Sequence, residues 1–261
     1  MSDITELTAV LKASLGWNLA RVKCLSLIMT CLIKVQSVNL RKLASAFPGA
    51  TLMDSNYKRL QRLFRSYNLN FTQVARLIVA MLPYTKLTLS LDRTNWKLGT
   101  TNINFLVLGV VHKGVAFPIL WMLLPKRGNS STAERIALME RYADIFGLTT
   151  IECLLADREF IGDDWLSYLK ENKVSFRIRI RSNMLVSRAQ GGTSAAKSFF
   201  RNLTMGQSRE LGLRTVGSHK LCVHGAKLET GKYLIIVSSG NNSTVLDDYK
   251  KDGKLKHYFR A

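Results

Sequence analysis

Apolar residues recur at helical spacing from about Asp3 to Pro83, as in Leu60, Leu63 and Phe64 or in Val74, Leu77, Ile78 and Met81. That period predicts an N-terminal helical domain over residues 1–84. The pattern then changes to one of strands. Segments 86–92 (KLTLSLD), 103–111 (INFLVLGVV) and 115–124 (VAFPILWMLL) are rich in β-branched and aromatic residues, with Lys113-Gly114 as a turn between the last two. Three strands in direct succession imply an antiparallel meander. Ser131 and Glu134 form a capping box, and Ile136, Leu138, Met139, Tyr142, Ile145 and Phe146 follow at helical spacing up to Gly147.

The run 150–157 (TIECLLAD) reads as a buried strand that pairs in parallel across this helix. A second helix, Asp163 to Lys173, leads to 175–181 (SFRIRIR), where Phe176, Ile178 and Ile180 alternate with Arg177, Arg179 and Arg181. Three strands, helix, strand, helix, strand is the order of an RNase H-like (retroviral-integrase-like) sheet. The expected class is therefore α/β, with residues 85–261 as a catalytic domain behind the helical one. Residues 182–239 interrupt that order with further short strands, HKLCVHGAKLE and KYLIIVSS among them, and are expected to form a β-rich insertion. The chain contains neither an internal repeat nor a low-complexity tract.

Composition narrows the partner. With 47% hydrophobic and 21% charged residues the chain can bury a substantial core, and its net charge of +20 calls for a large anionic partner, nucleic acid ahead of membrane. Residues 1–84 hold eleven Lys/Arg against three acids, and 176–216 hold eight against Glu210 alone. Lys58, Arg59, Arg62 and Arg65 lie three or four apart, so one helix face is strongly positive. DNA-backbone contact and an ordinary solvated face are equally good readings of it. Asn104–Leu124, the most apolar region, is broken at its centre by His112, Lys113 and Gly114 and is a hairpin, not a membrane span. The start, MSDITELTAV, lacks the basic and apolar regions of a signal peptide. Cys24, Cys31, Cys153 and Cys222 form no CxxC pair, which fits a reduced cytoplasm.

Two acidic residues carry the candidate chemistry. Asp92 ends an apolar run in LSLDRTNW, and Asp157 ends another in CLLADREF. A carboxylate at the end of a buried strand is held rigidly near solvent, as a hard divalent cation requires, and the two converge if their strands are neighbours. Either Asp alone fits the first position of a turn better; together, in this strand order, metal binding is favoured. The chemistry would be phosphoryl transfer with two Mg²⁺ ions, or Mn²⁺ in their place, about 3.5–4 Å apart. Arg93 and Arg158 flank the carboxylates and suit either phosphate or a structural partner such as Glu159 or Asp163. Trp96, Phe160 and Trp165 suit stacking on an extruded base, but core packing better.

LSLDRTNWKLG and LLADREFIGDDWLSYL resemble the first and second acidic motifs of DDE transposases of the bacterial insertion sequence four family, over roughly residues 85–251. The resemblance implies an RNase H-like core with an insertion ahead of the third acidic residue, and a DNA-binding helical domain. It also implies Mg²⁺ dependence and cut-and-paste transposition by a homodimer on double-stranded element ends and target, in a bacterial cytoplasm with nucleoid association. Arg177, Arg179 and Arg181 join Lys58, Arg59, Arg62, Arg65, Arg93 and Arg158 as DNA-contact candidates.

That family carries its third carboxylate in a helix with the signature Tyr, two residues, Arg, three residues, Glu. Asn242 or Ser243 is a suitable cap for such a helix, and Tyr249, a further DNA-contact candidate, matches the signature. The Arg position, however, holds Asp252 and the Glu position holds Lys256. The tail DGKLKHYFRA can be encoded by GAT GGA AAA TTG AAA CAT TAT TTC AGG GC. Read one register earlier after an A, the same bases give RWKIETLFQG, with Arg and Glu where the signature needs them. The expectation is that the family frame is lost after Lys251 and that this product binds DNA without cutting it. The alternatives are a non-catalytic remnant or inhibitor that occupies element ends, and a different nuclease on the same fold.

Overall fold

The computed structural model describes residues 2–66, 69–240 and 245–246. It divides into two compact units, one ending at Leu77 and one beginning at Ile78.

The first unit is helical: α1 (Ser2–Leu15), α2 (Leu19–Val35), α3 (Leu40–Ser45), α4 (Met53–Ser66) and the greater part of α5 (Phe71–Ala80). Asn18 caps α2 by accepting from Arg21 N–H, and Asn39 caps α3 by accepting from Arg41 and Lys42 N–H. Cys24, Ile28 and Cys31 of α2 pack with Leu43 and Ala44 of α3, Phe47, and Leu60 of α4. A second cluster joins Leu11, Leu15 and Val22 to Val74 and Leu77. The periodicity overreaches at two positions: Phe64 is 60% exposed and Met81 69% exposed. Leu63, in the last turn of α4, packs on the cluster formed with α2 and α3, and Phe64, the next residue round the helix, turns away from it. Met81 follows the end of α5.

The second unit is a mixed α/β fold on one ten-stranded sheet. In chain order its elements are β1 (Leu87–Leu98), β2 (Thr101–His112), β3 (Val115–Leu123), α6 (Thr132–Phe146), β4 (Ile151–Ala156), α7 (Asp163–Glu171) and β5 (Phe176–Arg179). Then follow β6 (Leu185–Ser187), β7 (Thr193–Ala195), β8 (Ser208–Val216), β9 (His219–Lys227) and β10 (Tyr233–Ser238). The spatial order is β3-β2-β1-β4-β5-β10-β9-β8-β6-β7. β1, β2 and β3 form the antiparallel meander, turning at Lys113 (φ 50°) and Gly114 (φ 79°), the two left-handed residues of a tight hairpin. β4 pairs in parallel with β1 on one side and β5 on the other.

Three local expectations change. β1 continues to Leu98 and β2 starts at Thr101, because RTNWKL, although polar, keeps pairing in an extended hairpin. α7 stops at Glu171, where the chain turns through Lys173 at φ 55°. The segment 182–239 does not interrupt the sheet but lengthens it: β10 pairs antiparallel with β5, and β9, β8, β6 and β7 follow. The capping box on α6 is present, with Ser131 Oγ accepting from Glu134 N–H and Glu134 accepting from Ser131 N–H.

Register assigns the two sheet faces, since paired residues share one. Leu89, Leu91, Leu154, Ala156, Phe176 and Ile178 fall on the first face and are almost wholly buried. Ser90, Leu155 and Arg177 fall on the second.

Candidate metal and nucleic-acid site

The parallel pairing of β1 with β4 ends at Leu91 and Ala156. Asp92 and Asp157 are the next residues on their chains, so two acidic positions sit side by side on neighbouring strands, about 5 Å apart in backbone spacing. Both continue the alternation of the second face. Asp92 is not at the end of its strand, since β1 still pairs with β2 there (Asp92 opposite Val107); what ends at Asp92 is the cover from β4. Each carboxylate accepts from the backbone N–H of the residue after it, Arg93 to Asp92 Oδ1 at 2.8 Å and Arg158 to Asp157 Oδ1 at 2.8 Å. These bonds fix the rotamers. Both side chains remain half-buried at the edge of the core.

The arginines around them divide by face. Arg177 and Arg179 alternate with Phe176 and Ile178 and stand on the second face, where Arg179 Nη1 lies 3.6 Å from Asp157 Oδ1. Arg181 lies beyond the end of β5 and is exposed, as is Arg158 on the loop after β4. Arg93 follows Asp92 and therefore stands on the first face. Its guanidinium donates to Glu159 at 3.0–3.3 Å, to Asn95 Oδ1 at 2.7 Å, and at 3.4 Å to both Asn104 and Asn129. It is the structural partner of Glu159.

Sequence reasoning missed Arg135. This residue of α6 is only 5% exposed and donates to Ser130 Oγ and O and, at 3.1 Å, to the backbone carbonyl of Glu159. Burial pulls its guanidinium below the ordinary arginine value, against the opposing pull of Glu159 and Glu134. Arg93 and Arg135 thus hold Glu159 by its carboxylate and its carbonyl, clamping the loop that starts at Asp157. A buried arginine one turn into a capped helix leaves no signature that separates it from a solvated one. Phe160 and Trp165 are fully buried, with Trp165 stacked on Tyr168 at 5.7 Å, whereas Trp96 is 44% exposed.

In the helical unit, Lys58, Arg62 and Arg65 of α4 are exposed, and Arg59 is half-buried against Cys24. Burial pushes the Cys24 thiol up while Arg59 acts against that. Tyr249, Asp252, Lys256 and the cap candidates Asn242 and Ser243 lie outside the described residues. Among the described residues no group of three or more His, Cys, Asp and Glu side chains is placed to hold a metal ion, and no helix is long and apolar enough to cross a membrane. All four cysteines are free thiols and buried.

No family model and no curated protein matches this chain. Among solved structures it is similar to a piggyBac transposase synaptic complex with hairpin DNA, determined by cryo-electron microscopy, at 15% identity and a TM-score of 0.48. The match covers 97% of this chain and spans 64% of the length of that one. A likeness so distant adds nothing to the reading of the site, which stands on its own geometry.

Proposed function

We propose that this chain is a DNA-transposition protein of the DDE type, in which Asp92 and Asp157 hold a divalent cation against a DNA phosphate. The observation that carries the reading is the register: two carboxylates from neighbouring parallel strands meet on one sheet face, with Arg177 and Arg179 beside them. The strand order β3-β2-β1-β4-β5, in which β4 pairs in parallel with both β1 and β5 and the meander β1-β2-β3 is antiparallel, supports an RNase H-like core for this sheet.

The donor set fits the ion. Mg²⁺ is commonly held by one or two carboxylates and completes its shell with water and phosphate oxygens, which is what two hard oxygen donors at a solvent-facing strand edge offer. Mn²⁺ suits the same ligands. When bound, such an ion neutralises phosphate charge and acidifies water. The chain's own residues do the rest. Arg179 balances Asp157 and, with Arg177, supplies positive charge along the same face for the flanking phosphates. Arg93 and Arg135 keep the Asp157 loop in one geometry. The positive face of α4 supplies a second, sequence-independent hold on duplex DNA.

Strand cleavage needs the third carboxylate of the family signature, and Lys256 stands at its position. A positive charge in place of a negative ligand disfavours a second ion. In this frame the chain therefore binds DNA and leaves it uncut. The test is DNA affinity at constant ionic strength with and without Mg²⁺. Binding that tightens with Mg²⁺ in the natural chain, but not in Asp92→Asn or Asp157→Asn, supports the reading. Binding indifferent to Mg²⁺ in all three defeats it, and Mg²⁺-dependent nicking by the natural chain defeats the non-cleaving part.

A further inference from the structure

Where α2 and α4 meet in the helical unit, arginines from both helices surround one hollow. Asn18, Arg21 and Cys24 recur at three-residue spacing along one side of the start of α2, and Arg59, Arg62 and Leu63 share one side of α4. These six residues line a space of about 520 Å³, inside the roughly 300–1,000 Å³ of ordinary ligand sites. Asn18 Oδ1 accepts from Arg21 N–H at 3.0 Å, which fixes the first turn of α2 at the rim. Arg21 and Arg62 are exposed, and Arg59 is half-buried with its guanidinium against the Cys24 thiol. No carboxylate stands in the wall of the hollow. Among the described residues, no carboxylate pairs with Arg59 or Arg62.

Three like charges around one space repel one another, and an anion between them offsets that repulsion. The planar fork of arginine matches the oxygens of carboxylate and phosphate alike. One fork satisfies a carboxylate, whereas a tetrahedral phosphate is open to donors from several sides. The positive charge also continues past the hollow. Lys58 and Arg65 are exposed on α4, and no acidic residue occurs from Lys58 to Lys86. A polymer of phosphates fits such a run better than an isolated acidic group.

We propose that Arg21, Arg59 and Arg62 together seat one phosphate of a nucleic-acid backbone, with Cys24 and Leu63 as the neutral floor beneath it. That the polymer is DNA rests on the functional reading above. The addition is a fixed point of grip, held jointly by two helices, where Lys58 and Arg65 only add charge. A contact of this kind sets the register of DNA on the helical unit.

Two measurements test the pocket. NMR follows the arginine Nε–H signals as inorganic phosphate, and separately acetate, is added at constant ionic strength. Saturable shifts of the Arg59 and Arg62 signals are expected with phosphate and much smaller ones with acetate. Equal shifts with both overturn phosphate as the ligand and point to an acidic peptide or a merely charged surface. The second measurement is duplex affinity by fluorescence anisotropy at one salt concentration. Arg21→Ala and Arg62→Ala, changes at exposed side chains, should each weaken binding about tenfold, and the double variant hardly more than either alone. Arg21→Ala combined with Arg65→Ala should instead show multiplied losses. Arg62→Lys keeps the charge and loses the fork, so it should still weaken binding about threefold or more, against less than about twofold for Arg65→Lys. Multiplied losses for Arg21 and Arg62, or full affinity in Arg62→Lys, overturn the pocket while leaving duplex binding intact. Phosphate-induced shifts in a natural chain that binds no duplex overturn the nucleic-acid assignment and the functional reading together.

Discussion

Arg93 Nη2 lies 3.0 Å from Glu159 Oε2, on the sheet face opposite the Asp92 carboxylate. Adjacent residues of one strand thus have different tasks: Asp92 faces solvent and the proposed cation, while Arg93 ties β1 to the loop after β4. The pair is 13% and 22% exposed, so removing one partner strands a largely desolvated charge. Glu159→Gln should cost roughly 1–3 kcal/mol, below the 3–5 of a fully buried pair, and Arg93→Met with Glu159→Met should cost less than the single change. Urea unfolding of the three variants checks both statements. Equal stability of Glu159→Gln and the natural chain would show that the pair does not brace the loop.

The exposed cations of α4 make a separate claim. If Lys58, Arg62 and Arg65 contact phosphates, each change to Ala should weaken binding to unrelated duplexes alike and lower the slope of log K against log salt by about 0.9. Titrations across a range of salt concentrations provide the test. Unchanged slopes would make this face a merely solvated one.

Much of the sheet was legible because its strands are local and strongly patterned. The meander, the capped helix and the apolar run to Asp157 each announce themselves within about a dozen residues. The convergence of Asp92 and Asp157 needed only one further inference, parallel pairing across a helix. The place of residues 182–239 was not legible, since the pairing of β10 with β5 spans more than fifty residues and leaves no local period. Arg93 was ambiguous because RTNWKL looks like a loop; only the continued β1–β2 ladder shows which side each residue takes. Trp96 was expected in the core for the same reason, and the longer hairpin carries it out to solvent.

Arg179 and a cation compete for Asp157. At 3.6 Å the guanidinium already offsets part of the carboxylate charge. Arg179→Ala should therefore tighten Mn²⁺ binding severalfold while weakening DNA binding, opposite effects that calorimetry and anisotropy separate. Parallel losses in both would mean that Arg179 only maintains the fold.

His224 gives the sheet a pH dependence. It is 4% exposed and stands opposite Glu210, with Ser238 Oγ 3.4 Å from its Nε2. Burial lowers its pKa from the ordinary 6.5, Glu210 acts to raise it, and Arg177 adds to the lowering. The unfolded chain then takes up a proton near pH 6.5 and the folded chain only at lower pH. Its contribution is intact above about pH 6.5 and lost as pH falls below it. The Tm difference between the natural chain and His224→Gln should shrink from pH 7.5 to 5.5, as thermal melts at several pH values will register. A constant difference would contradict the assignment.

The central claim is that Asp92 and Asp157 are two ligands of one cation. Mn²⁺ titration followed by electron paramagnetic resonance reads this without DNA and without catalysis. The natural chain should bind Mn²⁺ at one site, and Asp92→Asn and Asp157→Asn should each weaken that binding at least tenfold, with folding unchanged by circular dichroism. Equal Mn²⁺ affinity in all three chains would contradict the account.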